Sequence, residues 1–169
     1  MIDEQVACPP PSHPIITFSR LTTVAPADLI ALLNDPHVRR HLPLAHSAFG
    51  PHECERFVAE KEAHWAEHGF GVWAFYADGD FAGWGGLQTE GGDLDLGLVL
   101  HRRYWGLGQR LYARFIVEAF DTLGAPSITI LLPLSRQHVS AVTRAGFKSD
   151  GEVSVGGERF RRFRLHAPN

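Results

Sequence analysis

Leu96-Gly97-Leu98-Val99-Leu100-His101-Arg102-Arg103-Tyr104-Trp105-Gly106-Leu107-Gly108-Gln109-Arg110 passes from an alternating apolar run, through a cluster of glycine and arginine, into the start of a helical pattern. Read back to Asp93, the alternation puts Leu94, Leu96, Leu98 and Leu100 on one face of a strand and Asp93, Asp95, Gly97 and Val99 on the other. Read forward from Gln109 to Leu123, the period becomes helical. Leu111, Phe115, Ala119 and Leu123 form one stripe, with Tyr112, Ile116 and Phe120 beside it. So wide an apolar surface needs a sheet to cover. Between strand and helix, Gly106 and Gly108 remove side chains so that backbone N–H groups can converge on an anion. The helix dipole and Arg102, Arg103 and Arg110 add positive potential. Other glycine-rich loops do not fit: Leu111 stands where a dinucleotide fingerprint needs a third small residue, and neither a Gly-Lys-Ser/Thr nor a Gly-x-Ser-x-Gly occurs.

Outward from this stretch, Ile15 to Leu21 reads as a strand, and Pro26 opens a helix that ends at Asn34-Asp35-Pro36. A second helix starts at Pro51 and stops at Gly69. Val72–Tyr76 and Phe81–Leu87 flank Asp78-Gly79 as a hairpin. After Gln109–Leu123 come a strand at Ser127–Leu132 and a short helix from Gln137 to Ala145, stopped by Gly146. A closing hairpin of Glu152–Val155 and Arg159–Leu165 turns at Gly156-Gly157. The fold class is α/β of the α+β kind, with much antiparallel pairing.

At 169 residues, 44% hydrophobic and 21% charged, the chain suits one domain, set at residues 15–166. Residues 1–14, with Pro9-Pro10-Pro11-Ser12-His13-Pro14, read as an extended or disordered tail. Two cysteines, Cys8 and Cys54, give neither a metal spacing nor a disulfide framework, which fits a reducing cytoplasm. The acidic amino terminus and the absence of an apolar run near ~20 residues speak against secretion and membrane insertion. Charge is divided: residues 1–100 hold five Lys and Arg against fourteen Asp and Glu, residues 101–169 eleven against five. An anionic partner is expected on the second half and a cationic one on the first.

Arg103-x-x-Gly106-x-Gly108, following a strand and opening a helix, resembles the acetyl-CoA pyrophosphate loop of the GNAT superfamily of N-acetyltransferases. Tyr104-Trp105-Gly106 is similar to the wording of the branch containing ribosomal-protein N-terminal (alanine) acetyltransferases, as are Asp35-Pro36-His37-Val38 and Gly71-Val72-Trp73-Ala74. Leu132 to Phe147, ending in Arg144-Ala145-Gly146-Phe147, resembles the segment flanking the pantetheine arm. The resemblance implies a mixed, mostly antiparallel sheet flanked by helices and splayed at a cofactor cleft. It implies acetyl-CoA as cosubstrate, no metal, and direct attack by a primary amine in a ternary complex. Cofactor contacts would come from the strand backbone at Leu98 and Leu100, and from Arg103, Gly106, Leu107, Gly108, Gln109 and Arg110. The acceptor would be a protein N-terminus or a small molecule, and the enzyme a monomer or homodimer.

Counted back from Gly146-Phe147, Ser135 stands where the family usually has asparagine, and His138 where serine is common. The resemblance sets both near the cofactor sulfur, so His138 is a candidate acid for a thiolate of reference pKa ~8.5. Asp95 takes the place of the family's strand carboxylate and is the candidate base. An attacking amine arrives as ammonium (pKa ~8 to ~10.4) and must lose a proton, which the short Asp95 side chain favours taking through water. Glu90 and Asp93 are weaker substitutes. By parity Asp95 points away from the leucine face and need not be buried.

The pairs His37/His41 and His64/His68 have an i, i+4 metal spacing but no His-Glu-x-x-His context, and read as surface histidines. Trp65, Trp73 and Trp84 read as core or acceptor-pocket walls. Glu158-Arg159-Phe160-Arg161-Arg162-Phe163-Arg164 mixes basic and aromatic residues as nucleic-acid surfaces do, but reads better as a packed strand, with Phe160 and Phe163 sharing a face across a bulge near Arg161-Arg162. The rival functions are a non-catalytic acyl-CoA-binding module of the same fold and, less favoured, a nucleic-acid binder.

Overall fold

Asp78 and Gly79 both take positive φ, 50° and 87°, the pairing that a two-residue hairpin turn requires. They join β2 (Val72–Ala77) to β3 (Asp80–Glu90). The computed structural model describes residues 13–45 and 47–169. With β1 (Ile16–Ser19), β4 (Asp93–Leu100), β5 (Ser127–Pro133), β6 (Lys148–Val155) and β7 (Glu158–His166), these strands form one seven-stranded sheet in the order β1-β2-β3-β4-β5-β7-β6. Every neighbouring pair is antiparallel except β4 and β5. The expected mixed, mostly antiparallel sheet is what forms.

The helices are α1 (Pro26–Asn34), α2 (Pro36–Arg39), α3 (Pro51–His68), α4 (Gly108–Val117) and α5 (Ser140–Arg144). The leucine face of β4 packs with Leu111 and Phe115 of α4, Ile128 and Ile130 of β5 and Phe163 of β7 into the larger core. A smaller core gathers Leu29 of α1 and Cys54 of α3 against Val72 and Ala74 of β2. Burying a side chain such as Phe115 or Leu29 contributes roughly 1.5–3 kcal/mol; Leu123, expected on the same stripe as Leu111 and Phe115, is instead 37% exposed beyond the end of the helix.

Several boundaries differ from expectation. α1 ends at Asn34 as expected, but Asp35 then opens an unforeseen element: its side chain accepts a hydrogen bond from the His37 N–H at 2.8 Å and, with Pro36 following it, caps α2. The helix expected over 109–123 is α4 followed by a π turn at Glu118–Thr122, which keeps Ala119 fully buried. The helix expected from Gln137 begins only at Ser140. Residues before it are drawn outward, because Ser135 Oγ donates to the Arg40 carbonyl and Arg161 donates to the Arg136 carbonyl. The first strand is shorter than expected, since Leu21–Thr23 forms a 3-10 turn. The expected bulge lies on β6, where Asp150 and Gly151 face Arg162, rather than on β7. β7 runs straight along β5, so Phe163 opposite Ile130 and Phe160 opposite Pro133 lie on opposite faces.

His64 ties α3 to the sheet. Its Nε2 accepts the Thr89 backbone N–H at 3.1 Å, which leaves Nδ1 to donate to the Phe70 carbonyl at 3.0 Å. Burial holds its pKa below the ordinary histidine value. The unfolded chain therefore takes up a proton near pH ~6.5 before the folded one does, and stability falls as pH drops below that point. His64→Phe is expected to cost about 1–2 kcal/mol at pH ~7.5, from the two lost bonds. It should also flatten the fall of urea-midpoint stability between about pH 6.5 and 5.

Candidate active site

The sheet is nearly cut in two at its parallel seam. β3 and β4 pair from Gly83 with Leu100 to Glu90 with Asp93, and β5 pairs with β7 over its whole length. Between β4 and β5 a single register pair exists, Asp95 with Thr129. Beyond it the strands part, and backbone polar groups on the facing edges are left without a strand partner, which a buried sheet tolerates only if something else satisfies them. Two spaces open there. A cavity of about 220 Å³ is lined by Trp84, Gln88 and Gly97 of the sheet and roofed by His37, His41 and Leu44. A groove of about 390 Å³ is lined by Gly106, Gly108, Gln109, Ser140 and Arg144. Leu98, Leu100, Trp105, Tyr112 and Arg136 line both, so the seam joins them.

The loop from β4 to α4 is a 3-10 turn over Arg102–Leu107, pinned by the His101 N–H on the Ala82 carbonyl and by Trp105 Nε1 on the Leu100 carbonyl at 3.0 Å. Of the seventeen glycines, only Gly97, Gly106 and Gly108 have neither a positive φ nor any atom within 4 Å of where a Cβ would stand. Nothing among the described residues explains them. A Cβ at Gly106 or Gly108 would enter the groove, so this cradle fits a group brought close to backbone, as a pyrophosphate at a helix start is. Arg103 is exposed, its guanidinium 4.9 Å from the Tyr104 ring centre. Arg110 donates to the Pro14 carbonyl at 3.1 Å, and the Leu107 side chain is in the core, leaving only its backbone to a ligand.

Asp95 departs from expectation. It is only 8% exposed, at the apex of the seam. Thr129 Oγ1 donates to its Oδ1 at 3.1 Å, yet burial, with Glu90 and Asp93 adding to it, pushes the carboxyl up to about 7. Asp93 is held instead by a forked pair with Arg164, at 2.9 and 3.1 Å, which keeps its pKa below the carboxylate range. Gln88 faces Asp95 across the strand pair and accepts from Lys61 Nζ at 2.9 Å.

His138 is exposed and lines neither space. Ser135 is exposed too, its Oγ 3.5 Å from His41 Nδ1. Residues that sequence reasoning missed stand closer to the seam. Tyr112 is buried and lines both spaces, and burial raises its pKa, so the phenol keeps its proton. His37 and His41, read as surface histidines, roof the cavity. Their i, i+4 spacing was the available signal. Arg102 Nη1 meets His37 Nε2 at 3.1 Å, and burial with Arg136 and Arg40 holds His41 below the usual histidine range. Among the described residues no three His, Cys, Asp or Glu side chains gather as a metal site, and no helix is long and apolar enough to cross a membrane. The carboxy-terminal arginines are engaged: Arg159 with Glu152, Arg162 with Asp150, and Arg164 with Asp93 and Asp150.

Known structures share this architecture. An acetyltransferase from Agrobacterium tumefaciens str. C58 matches with a TM-score of 0.66 over 99% of this chain and 99% of its own, at 17% identity. Spermidine N-acetyltransferase from Vibrio cholerae, solved with CoA and spermine, gives 0.70 over 89% and 95%, at 13% identity. An acetyl transferase from Salmonella typhimurium that modifies the N-terminal serine of ribosomal protein L7/L12 gives 0.67 over 90% and 94%, at 13% identity. At these identities the likeness is one of fold. No curated protein sequence matches the chain. Residues 17–148, from β1 through the seam and its glycine loop to the start of β6, match the acetyltransferase (GNAT) domain family, and the chain therefore belongs to the GNAT acetyltransferases.

Proposed function

We propose that the protein is an acetyl-CoA-dependent N-acetyltransferase acting on a primary amine by direct attack in a ternary complex, in the branch of the ribosomal-protein N-terminal acetyltransferases. The observation that carries this is the parted seam, which opens on one side to a glycine-floored groove and on the other to a cavity, with a buried carboxyl at its apex. Backbone N–H groups of Gly106 to Arg110 hold the pyrophosphate, with Arg103 adding charge. The open edge of β4 around Leu98 pairs with the pantetheine arm, while the Leu100 carbonyl is already taken by Trp105. Bound there, acetyl-CoA supplies an activated acetyl group. Asp95, poised near neutrality, takes the ammonium proton through water, since Gly97 and Gln88 rather than Asp95 itself line the cavity.

His138 is proposed to return the proton to the leaving thiolate, with Ser135 at the mouth of the same segment. The position of Tyr112 in both spaces favours it as a second candidate donor. A thiolate is a weak base, so losing its proton donor should cost no more than ~10²-fold. His138→Ala is expected to lose rate at low pH and to flatten the alkaline limb of the profile. If Tyr112→Phe instead lowers the rate evenly across pH, the donor is the tyrosine, whose phenol keeps its proton throughout. The function itself is tested by acetyl-CoA-dependent thiol release across amine classes: release with at least one class is expected. CoA binding without release for any amine means a non-catalytic acyl-CoA-binding module.

A further inference from the structure

We infer that the acceptor is a small amino-carboxylate, a primary amine whose own molecule carries a carboxylate beside an apolar group, and that Arg136 is the residue that selects it. This rests on the acetyltransferase reading and narrows it to a small acceptor, against the protein N-terminus that the ribosomal-protein branch would suggest. Four observations converge. Among the described residues the cavity lining contains no Asp or Glu, so a second ammonium on the acceptor would meet no counter-charge from them. Asp93 and Asp150, the carboxylates beside the seam's far end, are already committed to Arg164 and Arg162.

The lining is instead rich in donors without acceptors. Arg136 is half-buried between the two spaces, and its guanidinium has no ion-pair or hydrogen-bond partner among the described residues. Only its backbone carbonyl is engaged, by Arg161. Trp84 Nε1 is buried and likewise lacks an acceptor there. An unpaired guanidinium in a partly desolvated cleft is matched by a carboxylate, which accepts two parallel N–H bonds.

Size and rim complete the argument. At about 220 Å³ the cavity lies below the ~300–1,000 Å³ of drug-sized ligand sites. Its roof is tied to both lips of the seam, His37 to Arg102 and Arg40 to Ser135, which suits a small acceptor better than a polypeptide. Three of the exposed large apolar side chains, Leu44, Trp105 and Leu134, each 46% exposed, stand at this mouth or directly after its strand, and Phe160 lies inside.

The test compares phenylalanine, phenylalaninamide and spermidine as acceptors, in the wild type and in Arg136→Met. A charge-assisted bond is worth roughly 1.5–3 kcal/mol, or about 10–100-fold. Phenylalanine is therefore expected to exceed phenylalaninamide in kcat/KM by at least about tenfold and spermidine by more. Arg136→Met should erase that preference while CoA affinity by calorimetry stays within about twofold. Equal or better use of the amide or the polyamine overturns the inference, and so does a variant that loses CoA affinity but keeps the acceptor preference, since Arg136 would then serve the cofactor's phosphates. Binding of N-acetylphenylalanine is measured separately without turnover. If no amine is acetylated yet this probe binds the wild type and not Arg136→Met, the enzymatic reading fails and the carboxylate site stands. If the probe does not bind, the site falls.

Discussion

Asp95→Asn is expected to lower the acetyl-transfer rate by ~10²–10⁴-fold at saturating acetyl-CoA, the usual range for removing a general base, and at the same time to stabilise the protein at alkaline pH. The two effects have one cause. In the unfolded chain the carboxyl gives up its proton near pH ~4, whereas burial at the apex of the seam holds it to about 7. A group whose folded pKa is raised favours folding at low pH and loses that contribution as pH climbs toward the folded value. Above pH 7 the native protein carries the full cost of a buried charge, on the order of 4 kcal/mol for a carboxyl moved from its ordinary ~4 to about 7. Asparagine keeps an oxygen to accept the Thr129 hydroxyl bond and carries no charge, so the variant's urea-unfolding free energy at about pH 8 should exceed the wild type's by up to that amount. The gap should close toward about pH 4. The lost rate should partly return as pH rises and the amine sheds its own proton. An Asp95→Asn variant that is less stable than wild type at alkaline pH, or as active, would remove Asp95 from the mechanism.

Gly108→Val should weaken CoA binding by at least about tenfold, roughly one or more lost charge-assisted bonds to phosphate, and leave the thermal midpoint nearly unchanged. No atom of the described residues lies within 4 Å of the new Cβ position, and the backbone φ of −54° suits any residue, so these residues have nothing to rearrange. Gly83 supplies the contrast: a Cβ there would stand 2.1 Å from the Val99 carbonyl oxygen, and Gly83→Val should fail to fold. Calorimetry with CoA and a melting curve on each variant separate a glycine kept for a ligand from one kept for packing. Unchanged CoA affinity in folded Gly108→Val would move the cofactor site away from this loop.

Periodicity and turn chemistry decided the elements that depend on near neighbours in sequence. The leucine face of β4, the Asp78-Gly79 hairpin, the start at Pro26, the stop at Gly69 and the glycine loop before α4 are all local consequences of side-chain spacing and backbone freedom, and they are where the sequence places them. Boundaries failed where a distant group took over the backbone. The helix expected from Gln137 begins only at Ser140, after residues 135–136 are held by the Arg40 carbonyl and the Arg161 side chain, and past the expected end of α1 the side chain of Asp35 caps a further short helix.

The site divided in the same way. The glycine loop proposed to cradle the cofactor was readable because anion binding by glycine and a helix start is a property of contiguous residues. The cavity proposed for the acceptor was not: His37, His41, Trp84, Tyr112, Arg136 and Phe160 come from separate stretches of the chain, and only the parting of β4 from β5 brings them together. Parity alone showed which way Asp95 points. Its burial, and with it a carboxyl that titrates near neutrality, depends on Thr129 and the neighbouring strand, which no local pattern contains. Local sequence sets what each residue can do within a few positions of itself; desolvation and counter-charge are set by whatever the fold brings alongside, and those decide which of these side chains has a chemistry.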